Sequence, residues 1–289
     1  MHHGWVIIDK GKNISSARVV STIKRLTSSK CGHAGTLDPL ATGVLPIAIG
    51  EATKLCGYML ATDKHYEFEV TWGEERSTDD AEGEIVARVE SLEFSEADLL
   101  NAMEEFKGKI EQMPPQYSAL KLNGKKAYEL AREGTKADLK PREIEIYDFV
   151  MLKHSARHTQ FSVHCSKGTY IRSIARDMGR KLGCYGYVSE LRRVTHGNFS
   201  INNAITLEKF EEMCKKGAEQ SVILPPDEVL DDILELKVSD EEACKVRNGI
   251  VLNTDLQDID CIVVYHGNTL LAIAEIIHGK LKTRRVFNL

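Results

Sequence analysis

The sequence predicts an α+β protein with two domains, residues 1–226 and a smaller β-rich module at residues 227–289. In the first part, short apolar segments with a period of two alternate with segments of helical period. After Pro225 and Pro226, one helical segment is followed by three strand-like segments that Gly-containing turns separate. The length of 289 residues agrees with one or two domains.

The elements up to residue 60 are predicted from apolar spacing and turn residues. Residues 5–8 form a short buried strand. Ser15 and Ser16 cap a helix, and its apolar side chains recur with helical spacing at Val19, Val20, Ile23 and Leu26. Residues 32–46 are rich in Gly, Thr, Asp and Pro, which predicts a loop. An apolar run at 44–49 and a short helix at 51–60 follow.

The central segment begins with a half-buried strand at 66–72, where Glu67 and Glu69 alternate with apolar Phe68 and Val70. An acidic loop covers 74–84. Ser95 then starts a capped helix that reaches about residue 106, because an acidic residue follows three positions later. The remaining elements are helices at 125–132, 171–182 (capped by Thr169), 207–215 and 240–247, and strands at 144–152, 160–165, 188–194, 261–265, 270–277 and 284–287.

The cysteines and the N-terminus indicate a cytoplasmic protein. The seven cysteines are an odd number and no pair has CxxC spacing, which disfavours a disulfide framework and fits a reducing compartment. The N-terminal residues lack the charged and apolar regions of a signal peptide. No apolar run approaches the roughly 18–20 residues that span a bilayer, so we expect no membrane partner.

The net charge of −5 hides an uneven distribution. The total argues against a nucleic-acid partner, because phosphates attract Lys and Arg. However, residues 63–112 hold 16 acidic and 5 basic side chains, whereas residues 113–200 hold 16 basic and 8 acidic. Residues 1–62 are also net positive. These two basic blocks could attract an anionic polymer. The alternative is that all the charge blocks are merely solvated faces.

Two segments could carry chemistry. Residues 32–46 place three glycines, two prolines and two threonines around His33 and Asp38, as expected where a backbone follows an unusual path close to a ligand. An isolated Asp-Pro would be an ordinary turn.

In the second segment, Arg172 begins a helix, where a cation is unfavourable against the helix dipole unless it pairs with an anion. A carboxylate or phosphate is therefore expected opposite Arg172, or else Arg172 is a surface residue paired with solvent or a Glu.

Other chemical templates fail. The sequence has no GxGxxG, GxxxxGK[ST] or GxSxG motif. Cys31, His33, His164 and Cys165 lack the usual spacing of metal ligands. A Cys–His nucleophilic pair has no third residue to orient it. We therefore expect neither a metal nor a nucleotide cofactor.

Residues 32–43, GHAGTLDPLATG, closely resemble the catalytic loop of the bacterial tRNA pseudouridine synthases that act on the T-loop. The resemblance extends over residues 5–200 through further blocks in the family's order: GEATK at 50–54, DKHY at 63–66, TDDAEG at 78–83, PQYSALK at 115–121, CSKGTYIR at 165–172 and LRR at 191–193. One departure is Asp9-Lys10-Gly11, where the family usually has Lys-Pro. The C-terminal module resembles the family's small PUA-type RNA-binding domain, mainly through residues 239–252.

The resemblance implies a fold, a reaction and a site. The fold is a mixed, mainly antiparallel central sheet flanked by helices. The reaction cuts the glycosidic bond of the T-loop uridine at position 55 of tRNA, turns the base and rejoins it through C5, without a cofactor. Asp38 would be the essential carboxylate, acting as nucleophile or base. The implied binding residues are His33, which supports the extruded RNA, Tyr66, which stacks on the uracil, Tyr170 and Leu191, which form pocket walls, and Arg172, the partner of Asp38.

A base held inside a folded RNA loop must be flipped out to react. We expect the basic blocks to contact the tRNA T-loop and stem, and the acidic segment 63–112, apart from Tyr66, to face away. We expect a monomer with no obligate protein partner. Two alternatives stay open on the sequence alone: a guide-RNA-dependent relative with the same chemistry, and an RNA chaperone that assists tRNA folding.

Overall fold

The computed structural model describes residues 2–122, 124–135 and 137–289. In these ranges the chain forms a ten-stranded mixed sheet with helices packed on it, and a separate five-stranded sheet near the C-terminus. Two strand pairs along the large sheet are parallel, Gly4–Lys10 with Ile205–Thr206 and Thr42–Ile49 with Gly186–His196, and the other pairs along it are antiparallel. The prediction of an α+β fold with a mainly antiparallel central sheet is confirmed.

The helices of the described ranges are α1 (Ser16–Thr27), α2 (Cys56–Ala61), α3 (Glu96–Glu104), α4 (Ala127–Arg132), α5 (Ile171–Lys181), α6 (Leu207–Lys215) and α7 (Asp240–Arg247). Short 3₁₀ helices cover Gly50–Leu55, Ile201–Asn203, Glu219–Val222 and Pro226–Val229.

The strands up to residue 126 are β1 (Gly4–Lys10), β2 (Cys31–His33), β3 (Thr42–Ile49), β4 (Lys64–Trp72), β5 (Glu74–Arg76), β6 (Ile85–Arg88), β7 (Gly108–Gln112), β8 (Lys121–Leu122) and β9 (Lys125–Lys126). The later strands are β10 (Arg142–His154), β11 (His158–Cys165), β12 (Gly186–His196), β13 (Phe199–Ser200), β14 (Ile205–Thr206), β15 (Glu235–Val238), β16 (Leu252–Asn253), β17 (Ile259–His266), β18 (Thr269–Ile277) and β19 (Lys280–Val286).

The centre of the large sheet is β4, which pairs with β11 on one side and β12 on the other. Its side chains alternate as the sequence predicts, with Phe68 and Val70 buried and Glu67 exposed. Apolar residues of α1 and α5 cover the buried face, among them Ile23 and Ile174. This packing places the N-terminus of α5 beside the start of β4, where the candidate site lies.

The five-stranded sheet packs against the main body through a shared apolar cluster. Trp5 and Ile7 of β1 join Val263, Ile273 and Phe287 of the C-terminal sheet in this cluster. The Trp5 indole also donates a hydrogen bond to the carbonyl of Pro226, at 2.9 Å. The domain boundary at residue 226 stays a prediction.

Several local predictions need correction. The segment 32–46 is a loop only between β2 and β3, because residues 32–33 belong to β2 and residues 42–46 belong to β3. The helix at 51–60 begins as a 3₁₀ helix, in which the Thr53 hydroxyl donates to the Gly50 carbonyl. The acidic loop at 74–84 contains β5, and the short basic helix begins only at Ala127.

Thr169 does not cap α5. The N-cap position is Tyr170, and no side chain caps the helix there. Instead, the Gln112 amide binds the Tyr170 backbone on both sides, accepting from its N–H at 2.8 Å and donating to its carbonyl at 3.1 Å. The Thr169 hydroxyl donates to the Ser166 carbonyl at 3.0 Å.

Candidate active site

A cavity of about 280 Å³ lies between the loop that joins β2 to β3, the strands β4 and β12, and the N-terminus of α5. Five of the six residues proposed as site residues line it: Asp38, Tyr66, Tyr170, Arg172 and Leu191. They come from four separate segments of the chain. The fold therefore brings together residues that are more than 150 positions apart in the sequence.

The loop that carries Asp38 is fixed by backbone hydrogen bonds. The Ser16 hydroxyl, at the start of α1, donates to the Leu37 carbonyl at 2.8 Å and accepts from the Leu37 N–H at 2.9 Å. The Asn13 N–H donates to the Pro39 carbonyl at 2.8 Å. Gly43 has a φ of +100°, and a Cβ there would lie 2.2 Å from the Arg193 carbonyl oxygen, so only glycine fits. These constraints hold Asp38 in a defined position.

Arg172 is the cation that meets Asp38. Its Nη2 lies 2.9 Å from Asp38 Oδ2, and its Nε lies 3.6 Å from Asp80 Oδ2. The same guanidinium donates to two carbonyl oxygens, those of Thr78 at 2.8 Å and Tyr117 at 2.9 Å. The Arg172 side chain is only 6% exposed, whereas that of Asp38 is 37% exposed. The anion expected opposite Arg172 is therefore present, and it is the Asp38 carboxylate, whose open side faces the cavity.

Two further arginines extend this ion pairing along α5. Arg172, Arg176 and Arg180 are four residues apart, so they lie on one face of the helix. Arg176 Nη1 is 3.0 Å from Asp79 Oδ2, and Arg180 Nη2 is 2.7 Å from Glu75 Oε1. Residues 75–80 of the acidic segment 63–112 thus supply carboxylates to this arginine row, and no carboxylate of that segment is among the described residues that line the cavity. That the segment faces away from the RNA, apart from Tyr66, stays a prediction.

Burial and these ion pairs set the electrostatics around Arg172. Burial raises the pKa of Asp80, although Arg172 opposes the shift, and burial raises the pKa of Asp79 to about 6 against the effect of Arg176 and Arg172. Burial lowers the pKa of Arg172, but Asp38, Asp80 and Asp79 more than offset it, so the pKa lies above its ordinary value. Arg172 therefore stays a cation at the cavity.

The predicted pocket walls lie around Asp38. Tyr66, on β4, is 9% exposed, and Leu191, on β12, is 8% exposed. Burial raises the pKa of the Tyr66 hydroxyl, and burial also raises that of Tyr170. Both phenols therefore stay protonated at neutral pH. Two aromatic rings and one aliphatic side chain give the cavity flat, apolar walls of the kind that hold a nucleobase.

His33 is placed differently from the other five residues. It ends β2, pairs with Ile47 of β3, and is not among the residues that line the cavity. Its Nδ1 is buried without a hydrogen-bond partner in the described part of the chain. Burial and the nearby Arg193 charge lower the pKa of His33, so the ring is neutral at neutral pH. A role for His33 in supporting extruded RNA stays a prediction.

Two cationic residues that the sequence does not single out, Lys64 and Arg193, also line the cavity. Both stand inside sequence blocks that carry the family resemblance, DKHY and LRR, but a lysine or arginine in a strand is normally exposed. Here Lys64 is 6% exposed and Arg193 is 1% exposed. Only their burial distinguishes them from surface charges, and the local sequence does not show it.

The described ranges contain no group of three or more His, Cys, Asp or Glu side chains arranged to hold a metal ion. Cys31 and His33 lie on β2, whereas His164 and Cys165 end β11. Within the same ranges, no helix has the length and apolar character needed to cross a membrane.

Comparison with known proteins decides the family. Residues 24–171 match the model of the TruB family pseudouridylate synthase N-terminal domain, and residues 172–233 match that of the tRNA pseudouridylate synthase B C-terminal domain. The chain belongs to the TruB family of pseudouridylate synthases. It is an isomerase of that family.

Curated relatives match over nearly the whole chain. A tRNA pseudouridine synthase B from Nitrobacter winogradskyi is 44% identical, over 99% of this chain and 83% of the relative. The enzyme of the same name from Rhodopseudomonas palustris is also 44% identical, over 99% and 81%. That from Brucella anthropi is 43% identical, over 98% and 95%.

Solved structures share the fold of this family member. A structure of an H/ACA RNP bound to a substrate RNA containing 2′-deoxyuridine superposes with a TM-score of 0.75, at 22% sequence identity, over 99% of this chain and 86% of that chain. An archaeal box H/ACA sRNP Nop10-Cbf5 complex gives a TM-score of 0.72, at 23% identity, over 98% and 86%. Both likenesses support the sheet topology and the β-rich C-terminal module.

Removal of the Arg172 charge tests how far the site depends on it. Arg172→Met is expected to lower the free energy of unfolding by about 3–5 kcal/mol, because the buried Asp80 loses its cation. Arg180→Met is the matched control on the same helix. Its side chain is 53% exposed, against 6% for Arg172, so the expected loss is smaller, about 1 kcal/mol. Urea unfolding followed by circular dichroism measures both, and equal losses would contradict this account.

Proposed function

We propose that this chain converts the T-loop uridine at position 55 of tRNA to pseudouridine, with Asp38 as the essential carboxylate. The observation that carries the proposal is the Asp38–Arg172 ion pair at the wall of a base-sized cavity. The family membership supports the reaction type, and the names of the relatives that match over nearly the full chain support the tRNA substrate. The same relatives favour an enzyme that acts without a guide RNA.

The reaction needs no external group. The C1′–N1 bond of the uridine breaks, the base turns within the cavity, and a new bond joins C1′ to C5. The proton on C5 is lost and N1 gains one, so product and substrate are isomers. Asp38 is the carboxylate at the cavity, where it can act as a nucleophile or as a base. Arg172 fixes the position of one carboxylate oxygen, which leaves the other for the substrate.

The cavity fits a single flipped base. A uridine stacked inside a folded RNA loop is out of reach of a carboxylate at the wall of a cavity, so it must leave its stack first. Tyr66 then stacks on the uracil, while Tyr170 and Leu191 bound the space around it. The cost of unstacking is a few kcal/mol, and contact with these apolar walls offsets it. His33 supports the extruded RNA from outside the cavity.

The RNA follows the positively charged part of the surface. The basic block at residues 113–200 supplies Gly168 to the lining of the cavity, and the adjacent Lys167 is exposed. The module at residues 227–289 adds a second RNA-binding surface. The enzyme acts as a monomer in the cytoplasm and has no obligate protein partner.

Asp38→Asn tests the catalytic assignment. The substitution keeps the size of the side chain but removes its charge, so we expect loss of at least 1,000-fold in single-turnover rate, on the order of the loss seen when a catalytic group is removed. Tritium release from C5-labelled uridine in bare tRNA transcript measures the rate. Glu96→Gln, the same carboxylate-to-amide change on the exposed face of α3, is the control and keeps full activity. Full tritium release by Asp38→Asn would refute the assignment, and a wild-type requirement for guide RNA or protein would refute the stand-alone reaction.

Salt dependence tests the tRNA-binding surface. The affinity for tRNA transcript should fall steeply as salt rises, because phosphate contacts release counterions. Lys167→Ala should reduce the slope of log affinity against log salt by about one. Lys109→Ala, at an exposed position on β7, leaves the slope unchanged. A wild-type affinity that does not respond to salt would contradict the proposed surface.

A further inference from the structure

Lys64 and Arg193 are buried cations at the wall of the cavity, and they take no part in the ion pairs around Asp38 and Arg172. Both line the cavity with Asp38 and Tyr66. Neither forms a salt bridge with a carboxylate of the described residues, whereas Arg172 and Arg176 each form two. Burial of an unpaired charge costs several kcal/mol, so such a pair beside a catalytic carboxylate points to a role in the chemistry.

The contacts of Lys64 leave part of its charge available. Its Nζ donates to the carbonyl oxygens of Leu60, at 3.0 Å, and Thr62, at the end of α2. An ammonium group has three donors, so one remains. Burial, and then the charge of Arg193, lower the pKa of Lys64 to about 8. At neutral pH the side chain is therefore still mostly a cation, and its charge lies close enough to that of Arg193 for the two to interact.

Two backbone carbonyl groups of the Asp38 loop and β3 hold the Arg193 guanidinium in place. Its Nε donates to the Val44 carbonyl at 2.7 Å, and its Nη2 donates to the Gly35 carbonyl at 3.0 Å. On the sheet, Arg193 pairs with Tyr66 of β4, and its charge lowers the pKa of the Tyr66 hydroxyl against the larger effect of burial. The guanidinium therefore lies beside the ring on which the uracil is proposed to stack, with donors left for a ligand.

A negatively charged group at the bottom of the cavity would match these two cations. A phosphate group belongs at the mouth, where the RNA backbone passes, and not beside a 1% exposed arginine. The base itself reaches the wall formed by β4 and β12. It is neutral in RNA, but it becomes an anion when its bond to the sugar breaks.

We propose that Lys64 and Arg193 form a cationic wall that stabilises the uracil anion released by cleavage of the glycosidic bond. The proposal rests on the proposed function, and it names the two side chains that stabilise the departing base. When the C1′–N1 bond breaks, its electron pair stays on N1, and the negative charge spreads over the ring to O2, O4 and C5. C5 then attacks C1′, which discharges the anion. The C5 proton is lost afterwards and N1 is protonated, so no oxidant or co-substrate is required.

The test uses a substrate whose base leaves more easily. Fluorine at C5 withdraws electrons and makes the departing anion more stable by itself, so a cationic wall matters less. The variants are Lys64→Met, Lys64→Arg and Arg193→Lys, with Lys109→Met as the exposed-lysine control. Each acts on tRNA transcripts that carry uridine or 5-fluorouridine at the T-loop position. Chromatography of nuclease digests follows the disappearance of the starting nucleoside under single-turnover conditions, and filter binding gives the tRNA affinity.

The proposal predicts a loss that depends on the substrate. Lys64→Met should slow uridine cleavage by on the order of 100-fold, as for removal of one preorganised donor, and the loss should be at least threefold smaller with 5-fluorouridine. Its tRNA affinity should stay within twofold of wild type. Lys64→Arg, which keeps the charge, should recover most of the rate. Arg193→Lys keeps the charge and loses the planar guanidinium. Its rate should fall less than that of Lys64→Met, and the fall should again be smaller with 5-fluorouridine. This variant provides the test if Lys64→Met does not fold.

Other outcomes overturn the proposal. An equal loss on both substrates means that the two cations only hold the loop and α2 in place. Weaker tRNA binding with a salt slope reduced by about one means that Lys64 binds phosphate. If the wild-type protein consumes neither nucleoside, the proposed function itself fails. If the wild type consumes uridine and the loss in the variants is the same for both substrates, only the cationic wall fails.

Discussion

The ion pair between Asp38 and Arg172 is the contact through which the distant parts of the active site determine one another's positions. Asp38 belongs to a loop that Ser16 and Asn13 hold by its carbonyl groups, whereas Arg172 belongs to the first turn of α5. The same guanidinium binds the carbonyls of Thr78 and Tyr117, so four segments meet on one side chain. Its burial makes each of these contacts expensive to lose, because an unmatched charge in a closed site has no water to solvate it. A small shift of α5 would therefore move the carboxylate that we propose as catalytic.

A second set of contacts keeps the opposite side of the cavity in place. Arg193 binds the carbonyls of Gly35 and Val44, at the two ends of the Asp38 loop, and Gly43 leaves no space for a side chain against the Arg193 backbone. The loop is thus fixed from α1, from α5 and from β12. This arrangement suits a reaction in which the base must detach and turn while the sugar and the carboxylate stay aligned. The charges are arranged in a similar way. Arg172 is paired with Asp38, whereas Lys64 and Arg193, which have no carboxylate partner among the residues that the structure describes, lie at the wall where the base is proposed to bind.

Much of the fold could be predicted from local sequence, because its signals are local. The bounds of α6 and α7, the capping box at Ser95 and the alternation along β4 agree with the sequence patterns. The need for an anion near Arg172 was also visible from the helix dipole, but Asp38 as that anion came only from the resemblance to the family. The burial of Lys64 and Arg193, and the turn of residues 75–80 toward α5, depend on long-range strand pairing and helix packing. The number of charges along the chain does not show which of them become buried by such packing.

The position of the substrate uridine relative to Asp38 is the decisive measurement for the proposed catalytic role of this carboxylate. A crystal structure of the Asp38→Asn protein with a T-loop stem bound would measure it. We expect the uridine to be flipped out of its loop, with its base between Tyr66 and the wall formed by Lys64 and Arg193. We expect C1′ to lie within about 3.5 Å of the residue 38 side chain. A uridine that stays stacked in the RNA loop, or a base bound outside this cavity, would contradict the proposed role.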